Sequence, residues 1–223
     1  MIPWQHLDTA KVPGDGGELK LMRRGTEYSI MAGPIELMNS RLSGSEEAMA
    51  TLAFERIGKR PRARVLIGGL GMGFTLRAAL AAFGTDARIV VAELVPAVVE
   101  WARGPLSELH AGGLDDPRVT LRLGDVGEAI GAEAAAYDAI LLDVDNGPGG
   151  LSRRENDGLY VPAGLAAAKR ALRPGGVLEV WSSTRDNGFT TRLKRAGYAV
   201  EEIGVRAHKG RGARHVIWMA TRP

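Results

Sequence analysis

Apolar and polar positions change their spacing twice along the 223-residue chain. Residues 1–17 mix Gly and Pro with polar residues, show no period, and read as a mobile arm. Short alternating runs follow. Residues 18–24 and 27–31 read as two strands around a tight turn, with residues 34–38 as a third. Residues 45–57 have helical spacing, with Ser43 or Ser45 available as a cap and Glu46 and Glu47 in the first turn, where the helix dipole favours acids. Residues 1–60 therefore read as an arm, hairpin and helix that form a small β-rich lid or dimerisation element, with residues 61–223 as the main domain.

From residue 62 strands alternate with helices. Strands are predicted at 64–68, 87–93, 119–123, 139–143 and 177–182, with helices at 74–83, 96–103 and 162–172, the last stopped by Arg173-Pro174-Gly175-Gly176. Continuous apolar runs such as Ile89-Val90-Val91-Ala92 and Ala139-Ile140-Leu141-Leu142 mark strands buried on both faces, as in parallel sheets. The tail differs: a helix over 187–196, a strand over 198–207, a basic Gly-rich loop, and a strand over 215–221. Two strands joined by so short a loop are antiparallel. The predicted fold is α/β and Rossmann-like, with seven strands, mostly parallel, closed by a C-terminal antiparallel hairpin. It resembles the class I methyltransferase architecture, where a nicotinamide-binding domain would continue with parallel crossovers.

Composition narrows the class. At 45% hydrophobic residues the chain suits one α/β domain with an appendage. No apolar run reaches the roughly 18–20 residues of a membrane span, and the first residues lack the pattern of a secretion signal. No cysteine is present, which removes disulfides and thiolate chemistry and points to the cytoplasm. His6, His110, His208 and His215 are scattered without metal-ligand spacing, so no metal is assigned. Residues 185–223 carry nine Lys or Arg against three acids, an end suited to an anionic partner such as nucleic acid, or simply a solvated face.

The chemistry-bearing signals sit at strand ends. Gly69, Gly71 and Gly73 follow the first strand of the main domain with G-x-G-x-G spacing, and a helix starts directly after them. Glycine is needed where φ is positive or a ligand meets the backbone, and helix N-terminal amides suit a polar or anionic group. A dinucleotide fingerprint would place Gly or Ala where Phe74 stands. Glu93, twenty residues past Gly73 and next to Leu94, ends the second strand, where an acid accepts from both hydroxyls of a ribose. Asp125, followed by Val126, ends the third; an acid beside a free amide reads an adenine, and Asp125 equally suits a helix N-cap. Asp143 and Asp145 close the fourth, ahead of Asn146-Gly147-Pro148, which is strong turn chemistry. Paired carboxylates bind an amine or take its proton, and their repulsion raises one pKa. Each signal alone also has a purely structural use. Together they fall on the carboxyl edge of the sheet, where open α/β folds bind ligands.

At these residues the chain resembles the spermidine synthase (aminopropyltransferase) family, over about residues 18–183. That family carries G-G-G-D-G-G and then T-L-R; here Gly69-Leu70-Gly71-Met72-Gly73-Phe74 precedes Thr75-Leu76-Arg77. It also carries D-x-x-D-P-x-G-P and a later Tyr; Asp143 to Pro148 and Tyr160 are similar, in a shorter run. The resemblance implies S-adenosylmethionine or its decarboxylated form as cofactor, held by Gly69, Gly71, Met72, Gly73, Glu93, Leu94, Asp125, Val126 and Asp143. It implies catalysis by Asp143, Asp145 and Tyr160, an acceptor bound by Glu46, Glu47, Asp145 and Tyr160, and a homodimer. One departure matters: the family's loop aspartate, which holds the cationic aminopropyl tail, is replaced by Met72. Met cannot pair with an ammonium, so intact S-adenosylmethionine is the expected cofactor, and methyl transfer to a small-molecule acceptor the expected reaction. Aminopropyl transfer to a diamine and a non-catalytic nucleoside- or RNA-binding role stay open.

Overall fold

The continuous apolar runs become the middle of a seven-stranded sheet. The structure is a computed structural model and describes residues 2–14, 17–144, 147–148, 157–208 and 211–223. Five parallel strands, β5 (Arg64–Gly68), β6 (Arg88–Glu93), β7 (Val119–Leu123), β8 (Tyr137–Leu142) and β9 (Leu172–Ser182), are closed by β10 (Ala199–His208) and β11 (Arg211–Thr221). The order is β10-β11-β9-β8-β5-β6-β7, with β11 antiparallel to both its neighbours, so the expected fold class holds. Helices α1 (Gly44–Ile57), α2 (Phe74–Ala82), α3 (Pro96–Arg103) and the short α4 (Ser107–His110) precede β7, and α5 (Val126–Gly131), α6 (Asp157–Tyr160), α7 (Pro162–Ala171) and α8 (Asn187–Arg195) follow it. The strand order reverses between β5 and β8, and the loops leaving these two strands diverge there.

Successive residues of the central strands point to opposite faces and join two cores. In β8, Ala139 and Leu141 pack towards α1, α2 and α3, while Ile140 and Leu142 pack towards α5, α7 and α8. Phe189 of α8 and Trp218 of β11 meet edge to face with ring centroids 4.9 Å apart, and both are fully buried. Asp138, buried in the same strand, is held by Arg60 at 3.1 Å, Arg173 at 2.7 Å and the Arg64 amide at 2.8 Å. Among the described residues, no helix is long and apolar enough to cross a membrane.

The N-terminal region departs from expectation. The residues read as a mobile arm contain β1 (Gln5–Lys11), which pairs antiparallel with β2 (Glu18–Arg24). With β3 (Glu27–Ala32) and β4 (Ile35–Asn39) they make a four-stranded sheet. Most of β1 is an exposed, polar edge, so its sequence carries little alternation; it is pinned by the Trp101 indole, which donates to Asp8 at 2.7 Å. Helix α1 packs on α2, β8, β9 and β10, joining this region to the main sheet. Strand β9 begins at Leu172 and not at 177, passing through Pro174 beside a register shift opposite Tyr137 and Ala139, where a missing N–H is tolerated.

One core position conflicts with its surroundings. Glu179 of β9 is fully buried, and neither carboxylate oxygen meets a hydrogen-bond partner. Burial pushes its carboxyl well above the ordinary value of 4.5, offset only in part by Arg56. The folded chain thus retains a proton that the unfolded chain releases, and stability falls as pH rises past about 4.5. Glu179→Met should raise the unfolding free energy at pH 7 by about 1–3 kcal/mol, with a smaller gain at pH 4. Urea denaturation at the two pH values measures this.

Candidate functional site

A cavity opens at the carboxyl ends of β5, β6, β7, β8 and β9, with about 1330 Å³ of empty space counting its solvent-open mouth. Its floor is the turn after β5. Gly69, Gly71 and Gly73 have φ of 90°, 48° and 79°, all in the left-handed region. The turn is closed by Gly69 N–H to the Ala92 carbonyl and Gly73 N–H to the Leu70 carbonyl, each 2.9 Å. Two of the glycines are also demanded by space. A Cβ on Gly69 would strike the Asp143 carbonyl, and one on Gly73 would strike the His110 ring. Gly73 caps α2 without a side-chain bond, so the first amides of that helix meet no capping group.

Glu93 ends β6 beneath this turn. It is 7% exposed; one oxygen accepts from Leu70 N–H at 2.9 Å and the other from Val95 N–H at 2.8 Å. Burial raises its carboxyl above the ordinary range, and the Val95, Leu70, Gly71 and Leu94 amides pull it partly back. Asp125, after β7, caps α5 by accepting Gly127 N–H at 2.6 Å, the structural use foreseen for it, and it also lines the cavity. Asp143, after β8, accepts the Thr75 hydroxyl at 2.7 Å. Leu94, Val126 and Met72 line the same space, Met72 being 3% exposed.

The two acids of α1 separate. Glu46 lines the cavity, whereas Glu47 turns away to Arg77, 3.5 Å distant. Tyr160 is not among the lining residues: it is 4% exposed in the core of the opposite face, its ring edge-on to Phe189 at 5.7 Å. Asp145 lies outside the described residues. The N-terminal sheet supplies an apolar roof from Leu19, Ile30, Ala32, Leu37 and Met38, and Trp181 closes the β9 side. Sequence reasoning missed Met38 and Trp181 as cavity residues, because both arrive from distant strands, and it missed Thr75, two residues past the glycine turn, as the partner that holds Asp143. Glu46, Glu93, Asp125 and Asp143 are the charged lining residues, and no Lys, Arg or His joins them among the described residues.

The sequence of residues 44–184, which runs from α1 to just past β9 and supplies the floor and walls of this cavity, matches the spermine/spermidine synthase domain. The chain belongs to the spermine/spermidine synthase family. A polyamine aminopropyltransferase of Mycobacterium tuberculosis is 32% identical over 159 residues, covering 67% of this chain and 29% of that protein. Putrescine N-methyltransferase 4 of Nicotiana tabacum is 39% identical over 116 residues, covering 52% of this chain and 28% of that protein. The chain thus spans about a third of the length of the curated relatives it matches. The spermidine synthase of Thermotoga maritima superposes with a TM-score of 0.73 at 18% identity, over 98% of this chain and 72% of that one, a likeness of fold. A precorrin-6y methyltransferase of Geobacter metallireducens shares the fold more loosely, with a TM-score of 0.55 at 17% identity over 78% of this chain and 87% of that one.

Within this family member the glycine turn rests on His110. The ring is 3% exposed, and burial, opposed by the Gly71 backbone, lowers its pKa to about 4, so it is neutral at pH 7. Gly73→Ala should cost about 2–4 kcal/mol, from left-handed strain plus collision with this ring. In a His110→Ala background the cost should drop to about 1–2 kcal/mol, the strain alone. A double-mutant cycle by chemical denaturation reads the coupling.

Proposed function

We propose that the chain is a transferase that lays a sulfonium nucleoside across the glycine turn and moves its aminopropyl group to an amine acceptor. The charge of the cavity carries this reading: four carboxylates and no cationic side chain among its described lining residues. Decarboxylated S-adenosylmethionine, with a sulfonium and an ammonium, and an amine acceptor are both cations that such a field attracts. Intact S-adenosylmethionine brings a further carboxylate that the field opposes. The replacement of the loop aspartate by Met72 favoured methyl transfer when the sequence alone was considered. Glu46 changes that balance, because it supplies negative charge to the same cavity from α1. Similarity to polyamine aminopropyltransferases points the same way.

In this reading Glu93 accepts from the ribose hydroxyls, and Asp125 with the Val126 amide meets the adenine. The acceptor nitrogen, once deprotonated, attacks the carbon bonded to sulfur. The new N–C bond forms as the C–S bond breaks, its electrons go to sulfur, and methylthioadenosine leaves. Asp143 takes the proton from the amine, with Asp145 as its sequence partner. Most of the rate gain comes from positioning and water exclusion beneath the apolar roof. Tyr160, packed on Phe189, is assigned no contact with the reacting atoms. Methyl transfer is kept as a second reading on the strength of Met72 and of the putrescine N-methyltransferase similarity.

Competition calorimetry separates the two. Decarboxylated S-adenosylmethionine should bind about tenfold or more tightly than the intact compound, a difference of about 1.4 kcal/mol. Equal or reversed preference would remove aminopropyl transfer and install methyl transfer. Glu93→Ala should weaken methylthioadenosine binding by about 1–3 kcal/mol through loss of two charge-assisted bonds. It should also lower stability, since the Leu70 and Val95 amides lose their acceptor. Calorimetry at a temperature where circular dichroism shows the variant folded checks this; undiminished affinity would end the ribose assignment.

A further inference from the structure

Three of the four cavity carboxylates, Glu93, Asp125 and Asp143, stand at the strand ends of the main sheet. Glu46 is held from outside. Its Oε2 accepts the Ser45 hydroxyl at 2.6 Å, and the Ser45 oxygen lies 3.0 Å from Nδ1 of His215 on β11. Ser45 is 1% exposed and has a single proton, which it gives to Glu46; the imidazole therefore donates to it from Nδ1–H. The Trp181 ring, which faces the cavity, meets the His215 ring edge-on at 4.8 Å and fixes its plane. Gly44 permits this contact. A Cβ there would come within 2.9 Å of the Arg206 carbonyl and 3.2 Å of the Ala207 carbonyl, so only a bare residue lets β10 approach the start of α1. The cross-strand pairing of Val205 with His215 then sets the imidazole beside Ser45.

We propose that Ser45 and His215 are positioning residues that aim the Glu46 carboxylate at a primary ammonium in the cavity, replacing the charge that Met72 cannot supply. This rests on the transferase reading above. The ammonium belongs either to the acceptor or to the aminopropyl tail of the donor. A glutamate in the first turn of a helix has three free torsions and, untethered, would spread its charge over many rotamers. One short bond to a buried hydroxyl, itself backed by a ring clamped against Trp181, removes most of that freedom before a ligand arrives.

The surroundings suit the role. Glu47, the neighbour on α1, is engaged by Arg77 of α2 at 3.5 Å. From β8, Asp143 is joined to α1 through Thr75, which bonds its carboxylate at 2.7 Å and sits 3.4 Å from the Glu46 carbonyl. The contacts from β10 at Gly44 are backbone carbonyls, and Glu179 of β9 is buried in the core to which α1 also contributes. Burial raises the Glu46 carboxyl above its ordinary value and Glu47 adds to this, while the Ser45 bond offsets part of the rise. Burial also keeps His215 below its ordinary value, so at pH 7 it is neutral and does not compete with a bound ammonium.

The test uses the whole chain and three probes by calorimetry: putrescine, decarboxylated S-adenosylmethionine, and methylthioadenosine as a reference without an ammonium. Ser45→Ala and His215→Ala should each weaken one ammonium compound by about tenfold and leave methylthioadenosine within about twofold. His215→Asn, whose amide reproduces the Nδ1–H donor, should restore most of the loss. In Ser45→Ala the acid limb of ammonium binding should move to higher pH, because Glu46 loses the bond that favours its ionised form. Loss confined to putrescine places Glu46 on the acceptor, and loss confined to the decarboxylated compound places it on the donor tail; either supports the assignment. Unchanged ammonium affinity in both variants, or equal loss for methylthioadenosine, overturns it while the nucleoside site stands. A wild-type chain that binds methylthioadenosine but neither ammonium compound overturns it too. A wild-type chain that binds none of the three overturns the transferase reading as well.

Discussion

The organisation of the site depends on one buried carboxylate. Glu93 is out of water, and a charge there is sustained only if donors surround it. The donors are backbone amides from two separate turns, Leu70 after β5 and Val95 after β6. Glu93 therefore locks the glycine turn to the neighbouring strand end. Once that turn is fixed, Gly69 must lie against the Asp143 carbonyl, and Gly73 must lie over His110, which is why neither position accepts a side chain. The floor of the cavity is thus set before any ligand enters, and little ordering is left for binding to drive.

Charge is sorted by location. The chain is net positive, yet among the described residues the charged groups that line its cavity are all carboxylates. Several cations serve the frame: Arg60 and Arg173 hold Asp138, Arg56 meets Glu201 at 2.5 Å, and Lys169 and Arg222 bond main-chain carbonyls near strand and helix ends. In the C-terminal region Arg192 likewise meets Asp186 at 3.3 Å, and Arg206 bonds the Gly212 carbonyl at 3.0 Å. The hairpin's contribution to the site is a neutral imidazole beside Ser45.

What the sequence disclosed follows from the range of the interactions involved. The parallel strands and the glycine turn were legible because their signals are local: continuous apolar runs, and glycines within five residues of a strand end. The acids at the ends of β6, β7 and β8 were legible because strand ends share one edge of the sheet. β1 was not, since an exposed edge strand needs no alternation and its anchor, Trp101, is far along the chain. Glu46 and Glu47 were indistinguishable as neighbours in a first helical turn; the rotation of α1 against α2 decides that one faces the cavity and the other Arg77. Tyr160 follows the acidic turn in sequence but packs into the far core, because α6 leads into α7 on that face. His215 had no local signature at all, as its partner is 170 residues away.

Met72 and Glu46 are best understood together. An aspartate in the glycine turn would stand close to Glu93, a carboxylate that burial already disfavours, and the two charges would raise each other's cost of ionisation. A methionine in the turn avoids that conflict and adds apolar surface to a half-closed cavity. Negative charge then has to reach the ligand from a different direction, and the first turn of α1 is well placed because Gly44 brings the C-terminal hairpin against it. The substitution in the turn and the bare residue at the helix start are, on this view, two parts of one arrangement. On the proposed reading the charge that meets the ligand comes from the wall of the cavity, where Ser45 and, behind it, His215 of β11 hold Glu46.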